Sequence, residues 1–356
     1  MSRQAPIRRE DGADEASPQV FDAVHARILN GFPALVAELG GDAHALLRQV
    51  GVDPEPVLAG DAEATYRQTV ELMALAALEL GCPDFGLRLA RAQGGRMFGP
   101  LGQVMRRSRT FGEAIEYTAS HNYAHSLAAA IWLRRHPGEG ALFVGHDILL
   151  DGLDDRSQAM EQILLVGHLT AMELTGGYAR ARRVHFRHQA ISPAKAYRRH
   201  FGCDVLFGQS EDGVFYFDQD LSSPVVDHDA QAHRIATAYV ESEFARQAPL
   251  QAQARGLVMQ SLGTDRCTNE AVADALNLHP RTLHRRLAAE RTSFQQVKDE
   301  VRRDLMRYYL EHTDFGVAWI SEKLGFAEQS VMTRRCNRWL GAAPTEVRRR
   351  ARMPKP

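Results

Sequence analysis

The sequence lacks the features that mark membrane and secreted proteins. It has no run of about 18 or more apolar residues, so we predict no transmembrane helix. Residues 1–18 are polar and mixed in charge, without the apolar core of a signal peptide, and we predict a disordered tail there. The chain has 4 cysteines that form no CxxC pair: Cys82, Cys203, Cys267 and Cys336. We therefore expect a cytoplasmic protein with reduced thiols; a redox sensor built from two of them is the less favoured alternative.

Motifs for catalysis and metal binding are also missing. The sequence contains no GxSxG, HExxH or Walker motif, and the glycine-rich residues 96–102 lack phosphate-binding spacing. His121 and His125 have the four-residue spacing of a metal pair on one helix face, but no third ligand can be placed, which favours surface or core histidines. A group of acidic residues lacks the EF-hand pattern and indicates a solvated loop: Asp147, Asp151, Asp154 and Asp155. We predict no catalytic residue, metal or cofactor, and keep an enzyme without a readable motif as an alternative.

The distribution of charge divides the chain into two parts. The 356 residues carry 43 Lys and Arg and 44 Asp and Glu, so the net charge is close to zero. From residue 251 to the end, 19 basic residues stand against 12 acidic ones, whereas residues 1–250 hold 24 basic and 32 acidic residues. This distribution favours a basic C-terminal part that binds phosphate, joined to an acidic N-terminal part that does not.

Periodicity predicts an α+β fold for the acidic part. Residues 20–125 read as helices with short connections, and residues 157–174 as a long amphipathic helix. Several strand-like runs predict a small interrupted sheet: residues 128–133, 141–144, 183–186 and 214–217. A last helix at residues 227–244 has an apolar side, which leaves two alternatives open: packing on this domain, or pairing with a second copy in a homodimer.

The basic part contains one pattern written twice. Copy one, VADALNLHPRTLHRRL, covers residues 272–287, and copy two, ISEKLGFAEQSVMTRRC, covers residues 320–336. Each copy predicts a short helix, a tight turn and a second helix rich in Arg, which is the layout of a helix-turn-helix. Gly325 stands where the turn of copy two requires positive φ, and Asn277 is its counterpart in copy one.

Apolar spacing fixes which sides of these helices face inward. Leu283 and Leu287 should be buried in copy one, which leaves the polar residues of its second helix exposed: Arg281, Thr282, His284 and Arg285. Thr268 is a suitable N-cap for the first helix, and Pro280 a suitable first residue for the second. A long helix at residues 294–311 should separate the two copies as a strut of about 25 Å. The predicted fold class is thus an α+β regulatory domain followed by an all-α domain with two helix-turn-helix motifs joined by a long helix.

Copy two carries a family resemblance. Residues 326–330, with Arg334, Arg338, Trp339, Gly341 and Pro344, resemble the second-motif signature of AraC/XylS-type transcriptional regulators, and the resemblance covers about the last hundred residues. Met332 and Cys336 stand where that family usually has phenylalanines, and Arg335 replaces a small residue, so we expect an apolar but looser core. The resemblance implies a DNA-binding set, with Ser330 as a phosphate or capping contact: Arg281, Thr282, His284, Arg285, Gln329, Ser330, Thr333, Arg334 and Arg338.

The acidic part carries a second, weaker resemblance. Residues 83–89, 99–102 and 110–114 resemble the arabinose-binding-like N-terminal domain of ornithine-utilisation-type members. This implies an effector-binding or regulatory domain, although no ligand-contact motif can be carried over. Four side chains are candidates for an effector pocket, with core or surface positions as the favoured alternative: Tyr117, His121, Trp132 and His168. We accordingly predict four segments: a tail at 1–18, an effector-binding domain at 19–230, a linker helix and hinge at 231–250, and the DNA-binding domain at 251–356.

Together these features predict a sequence-specific transcriptional regulator, with activation favoured. Its implied partners are promoter DNA, RNA polymerase, a small-molecule effector and a second copy of the chain, in a nucleoid-associated cytoplasmic setting. An alternative from another class is an alkyl-transfer repair enzyme that carries a DNA-binding tail. Such chemistry needs an activated cysteine with neighbouring His or metal-ligand cysteines, and neither Cys82 nor Cys203 has a second cysteine nearby in the sequence. A regulator that needs no ligand and uses its N-terminal domain only for dimerisation is a third alternative.

Overall fold

The structure is a computed structural model. It describes the following residues: 23–59, 63–126, 128–148, 150, 153–244, 250–276, 278–313 and 315–351. The predicted tail, the centre of the predicted hinge at 245–249, Asp151 and Asn277 lie outside the described residues. Within these ranges, no helix is both long enough and apolar enough to cross a membrane.

The N-terminal domain begins with a series of helices. They are α1 Phe32–Glu38, α2 Ala43–Gln49, α3 Pro54–Ala59, α4 Tyr66–Glu79, α5 Phe85–Gln93, α6 Gly99–Arg107 and α7 Phe111–Ser120. Local sequence explains several of the starts: Thr65 and Gln68 form a capping box at α4, and the Thr110 hydroxyl accepts a hydrogen bond from the Glu113 N–H at α7. Two short strands, β1 Ala23–His25 and β2 Glu63–Thr65, pair antiparallel beside these helices.

A five-stranded sheet follows within the described residues. Its strands are β3 Ala129–His136, β4 Ala141–Ile148, β5 Arg183–His185, β6 Asp204–Leu206 and β7 Gly213–Phe217, in the order β3-β4-β7-β5-β6. β3 and β4 form a hairpin with Ala129 opposite Ile148, and β4 pairs antiparallel with β7. β5 and β6 pair in parallel because α9 Ala194–Phe201 makes the crossover between them. The mixed α+β class is therefore confirmed.

One long helix, α8 Ser157–Leu174, fills the centre of this domain with the bounds that periodicity predicts. Its apolar residues, such as Leu165 and Val166, have no exposed surface, and it packs against α5. The approach is close at Gly86, where an added Cβ would lie 2.1 Å from the Gln158 carbonyl oxygen. The last elements are α10 Asp218–Leu221, α11 Ala230–Tyr239 and a π-helical turn at Val240–Phe244.

Two interpretations of polar groups are wrong. His121 and His125 do not share a helix face, because α7 ends at Ser120 and a 3₁₀ turn, Asn122–Ala124, separates the two histidines. Asp147 lies on β4 and is 1% exposed, so it belongs to no solvated loop. Asp154 and Asp155 are exposed, as predicted.

The C-terminal domain is all helical in its described residues. Its elements are α12 Leu250–Ser261, α13 Asn269–Ala275, α14 Pro280–Ala289, α15 Phe294–His312, α16 Val317–Lys323, α17 Gln329–Leu340 and α18 Pro344–Ala351. They share one hydrophobic core, separate from the core of the N-terminal domain. Within it, α15 packs against α12, α17 and α18. The long helix between the two copies is thus confirmed, and it is the central element of this domain.

Candidate nucleic-acid interface

Copy one is a helix-turn-helix made of α13 and α14. Thr268 caps α13, since its hydroxyl accepts from the Ala271 N–H at 3.1 Å, and Pro280 opens α14 as predicted. His279 caps α14 through Nδ1, which accepts from the Arg281 N–H at 3.2 Å. Leu283 and Leu287 have no exposed surface, so the polar side of α14 necessarily faces outward.

Copy two repeats this arrangement with α16 and α17. Gly325 adopts φ 65°, which confirms the positive φ predicted for the turn. Met332 and Cys336 occupy the inward positions with no exposed surface, although both differ from the usual aromatic residues of the resembled family. The apolar character of these positions is therefore retained.

The proposed DNA-binding residues all lie on the outer sides of the two recognition helices, α14 and α17. Those classed as exposed are Arg281, His284, Arg285, Gln329, Ser330, Arg334 and Arg338, while Thr282 and Thr333 are half-buried. Two hydroxyls are occupied within copy two: Thr333 Oγ1 donates to the Gln329 carbonyl, and Ser330 Oγ donates to the Glu328 carboxylate, both at 3.0 Å. The contacts of these residues with DNA stay a prediction.

Arg335 has a structural role that its sequence position does not reveal. Its guanidinium lies 3.3 Å from the Asp299 carboxylate on α15 and 5.4 Å from the ring centre of Trp339. From the same helix, Arg302 donates to the carbonyl oxygens of Leu324 and Gly325, at 2.9 and 2.5 Å. These bonds attach copy two to the strut, since they satisfy carbonyls at the C-terminal end of α16.

The two domains are docked on each other through polar and aromatic contacts. Arg187 of the N-terminal domain hydrogen-bonds the Tyr308 hydroxyl on α15, and it also binds Asp147 at 2.7 Å. Burial alone would lower the pKa of Arg187, but the Asp147 and Asp212 carboxylates outweigh burial and raise it. The Lys323 ammonium at the end of α16 lies 4.5 Å from the ring centre of Trp132 on β3. Sequence periodicity gives no signal for these contacts because their partners are far apart in the chain.

The four candidate effector-pocket residues do not form one site. Tyr117 and His121 stack with ring centres 3.9 Å apart, and burial lowers the pKa of His121. His168 is a core residue whose Nδ1 accepts from the Ala181 N–H at 3.1 Å; burial lowers its pKa to about 4. Trp132 alone of the four lines the cavity between the two domains.

The fold and this pair of helices define a helix-turn-helix transcriptional regulator with an N-terminal ligand-binding domain. The family model described as the arabinose-binding N-terminal domain of AraC transcription regulators matches residues 40–225, and a helix-turn-helix domain model matches residues 272–350. Since the first match alone covers more than half of the chain, the protein belongs to the AraC family of transcriptional regulators.

Two sequence relatives agree with this assignment. The chain is 35% identical to the HTH-type transcriptional regulator VirS of Mycobacterium tuberculosis over 327 residues, which cover 91% of this chain and 96% of VirS. It is 26% identical to the Ornithine utilization regulator of Pseudomonas aeruginosa, over 88% of this chain and 93% of that regulator. The crystal structure of transcriptional regulator CdpR from Pseudomonas aeruginosa aligns with a TM-score of 0.43 and 20% identity, over 86% of this chain and 96% of CdpR.

Proposed function

We propose that the protein activates transcription by inserting α14 and α17 into successive major grooves on one face of promoter DNA, about 34 Å apart. The observation that carries this proposal is the pairing of two helix-turn-helix motifs on one core, with the polar side of each recognition helix facing outward. Arg281, Arg285, Arg334 and Arg338 supply cations for base edges and phosphates. Arg is suited to both, because its planar guanidinium forms bidentate hydrogen bonds with guanine and with phosphate oxygens.

The N-terminal domain is the proposed point of control. Its docking on α15 and α16 gives an effector a physical route to the DNA-binding domain, because a change at the docked surface alters contacts made by copy two. RNA polymerase is the proposed partner in activation, and the nucleoid the proposed location. The proposed segments are 19–230 for control, 231–250 for the connection and 251–356 for DNA binding. Two separate hydrophobic cores support a division of the chain, although Val240 of the proposed connection belongs to the N-terminal core and Leu250 to the C-terminal one.

A homodimer is also part of the proposal. On α11, Ile235 is 65% exposed and Tyr239 is 53% exposed, so this helix presents large apolar side chains to solvent. Pairing with a second copy would cover them.

The alkyl-transfer alternative is disfavoured by the chemistry of the cysteines. Burial raises the pKa of Cys82, Cys203 and Cys336 to about 11 in each case, which keeps all three thiols protonated near neutral pH. Nucleophilic cysteines need the opposite shift, toward the thiolate. We therefore propose a regulator without enzymatic activity.

The test begins with footprinting on genomic DNA, starting at the region upstream of the protein's own gene, to obtain a specific site. Gel shifts on that site and on unrelated DNA then compare Arg285→Ala with Arg334→Ala. A good bidentate base contact contributes roughly 1–3 kcal/mol, so each variant should lose about 5- to 150-fold in specific affinity and much less in nonspecific affinity.

The matched control is Arg48→Ala, which removes the same charge from an exposed residue of α2 in the N-terminal domain. It should bind the specific site normally. Normal binding by both recognition-helix variants would reject this assignment of the reading residues, and failure of the full chain to protect any DNA would reject the proposed function.

A further inference from the structure

A cavity of about 160 Å³ lies between the two domains. Its wall on one side comes from α7, β3 and β4, and on the other from α12, α15 and α16. Neither domain forms the cavity alone, so it exists only while the domains are docked.

Most of the cavity wall is apolar. Ala130, Ile131 and Leu133 line it from the N-terminal domain, and Met259 and Leu305 from the DNA-binding domain. An apolar cavity of roughly 150 Å³ is large enough to hold benzene. The available space therefore suits a compact apolar group of about six to ten non-hydrogen atoms.

Most charged groups in the wall are already neutralised by protein partners. Arg134 forms a bidentate ion pair with Glu211, and Arg255 lies 2.7 Å from the Asp304 carboxylate. Asp147 binds Arg187 at 2.7 Å and accepts a hydrogen bond from Trp132 Nε1 at 2.8 Å. Each of these wall groups thus has an opposite charge beside it, although Asp304 is shared with Arg303 and Arg187 also lies 3.6 Å from Asp212.

Lys323 is different from these groups. Its ammonium contacts the rings of Trp132 and Trp319, at 4.5 and 5.9 Å, but forms no ion pair with any residue that the structure describes. Burial lowers the pKa of Lys323 by more than the Glu211 and Asp147 carboxylates raise it, because surroundings of low polarity disfavour the ammonium form. A carboxylate beside it would offset that loss of hydration.

We propose that this interdomain cavity binds a compact monocarboxylate, with its apolar body between β3 and α12 and its carboxylate on Lys323. A cation that forms no salt bridge with the described residues matches a single negative charge, with the Glu211 and Asp147 carboxylates acting on it only from a greater distance, and the apolar wall disfavours a second negative charge. This proposal rests on the proposed function in one respect: it takes the monocarboxylate to be the effector that controls DNA binding.

The position of Lys323 links this ligand to DNA binding. Lys323 is the last residue of α16, and its neighbours Leu324 and Gly325 form the turn that leads to recognition helix α17. A ligand held between Lys323 and β3 favours the docked arrangement of the domains, because it contacts both sides of the cavity. If the DNA-bound chain has another domain arrangement, the ligand weakens DNA binding. If the DNA-bound chain keeps the docked arrangement, the ligand strengthens DNA binding.

The experiment uses the full chain and calorimetry with cyclohexanecarboxylate as the probe, beside a panel of compact monocarboxylates of similar size. The uncharged cyclohexanecarboxamide and the cationic cyclohexylamine are the matched probes for charge. We expect saturable binding of the carboxylate and at least tenfold weaker binding of the amide and the amine. Binding should also raise the melting temperature of the full chain.

Three variants locate the site. Lys323→Met removes the charge at similar length and should weaken carboxylate binding at least tenfold, while Lys195→Met, an exposed lysine of α9, should leave it unchanged. Ala130→Leu fills the cavity but keeps Lys323, so it should abolish binding. If Lys323→Met does not fold, Ala130→Leu still decides the question.

The proposal is overturned if no carboxylate of the panel binds, if the amide binds as well as the carboxylate, or if Ala130→Leu binds normally. Gel shifts with and without the probe distinguish failure of the cavity proposal from failure of the proposed function. DNA binding without any probe binding rejects the cavity alone, and probe binding by a chain that protects no DNA rejects the proposed function alone.

Discussion

The two helix-turn-helix motifs have the same layout but different supports. In copy one, Thr268 and His279 cap the two helices through their own side chains. In copy two, the corresponding residues Gly316 and Glu328 make no side-chain cap. Copy two is held instead by long-range contacts from α15. Arg302 donates to the Leu324 carbonyl in the turn, and Asp299 forms an ion pair with Arg335.

This comparison shows which features of a duplicated motif its structure requires. The inward positions stay apolar and fully buried in both copies, because the helix pair must cover its core. The two copies are supported at different backbone groups: side-chain caps accept from helix N–H groups in copy one, whereas Arg302 donates to carbonyls at the C-terminal end of α16 in copy two. Copy two therefore receives contacts from α15 at its turn and on its recognition helix, whereas copy one receives one before its first helix, where Lys298 Nζ donates to the Cys267 carbonyl at 2.7 Å.

The largest expected effect tests the inward-facing positions of the two copies. Leu287→Ala should lower the free energy of unfolding of the DNA-binding domain by about 2–5 kcal/mol, because it leaves a cavity at a position with no exposed surface. Cys336→Ala, at the matching position, removes only one sulfur atom and should cost about 1 kcal/mol. Urea unfolding followed by tryptophan fluorescence measures both, since Trp319 and Trp339 lie in α16 and α17. Equal losses would show that the shared core is packed alike around Leu287 and Cys336.

A smaller effect tests the turn of copy two. Gly325→Ala should lower the free energy of unfolding by about 1–2 kcal/mol, because an L-residue disfavours the left-handed backbone at this position. Crowding should lower it further, because the new Cβ would lie 3.0 Å from the Gly263 nitrogen. Gly341→Ala is the control: Gly341 has φ 70°, but a Cβ there meets none of the described atoms within 4 Å. Urea unfolding should therefore show that Gly325→Ala is less stable than Gly341→Ala. The reverse order would contradict the close approach at the turn.

The smallest effect tests the caps. Thr268→Ala should lose about 1 kcal/mol, because the Ala271 N–H loses its acceptor. Gly316→Ser should gain a few tenths of a kcal/mol, since Gly316 already has the extended backbone of an N-cap and open space for a side chain. Amide hydrogen exchange in the first turns of α13 and α16 resolves these changes separately. No change in α13 for Thr268→Ala would show that copy one also relies on tertiary support.

Much of the fold follows from local sequence, and the remainder depends on contacts between distant residues. The bounds of α8 are predictable because eighteen residues give five turns of apolar periodicity. The strands β1, β2 and β6 have 3 residues each, too few for alternation to distinguish them from loops. Asp147 reads as a solvated residue because the neutralising Arg187 lies 40 positions further along the chain.

The candidate interface is more predictable than the cavity. Once Leu283 and Leu287 face inward, helical geometry places Arg281 and Arg285 outside, so the exposed side needs no knowledge of the rest of the fold. The cavity combines β3 with α12 and α16, and no periodic pattern links these elements. Of its key residues, Trp132 is predictable as a candidate, whereas Lys323 reads as an ordinary surface lysine at the end of a helix.

The continuous helix α15 connects the two helix-turn-helix motifs of the DNA-binding domain and acts as a spacer between them. Its 19 residues span roughly 28 Å without a break, and both copies share one core with it. We therefore expect the distance and the rotation between α14 and α17 to be fixed before DNA binds. Each base pair inserted between two half-sites shifts one of them by about 3.4 Å and turns it by about 35° around the duplex axis. From the proposed insertion of α14 and α17 into DNA, we expect an operator that keeps a constant number of base pairs between its half-sites, even where the bases between them are free to change.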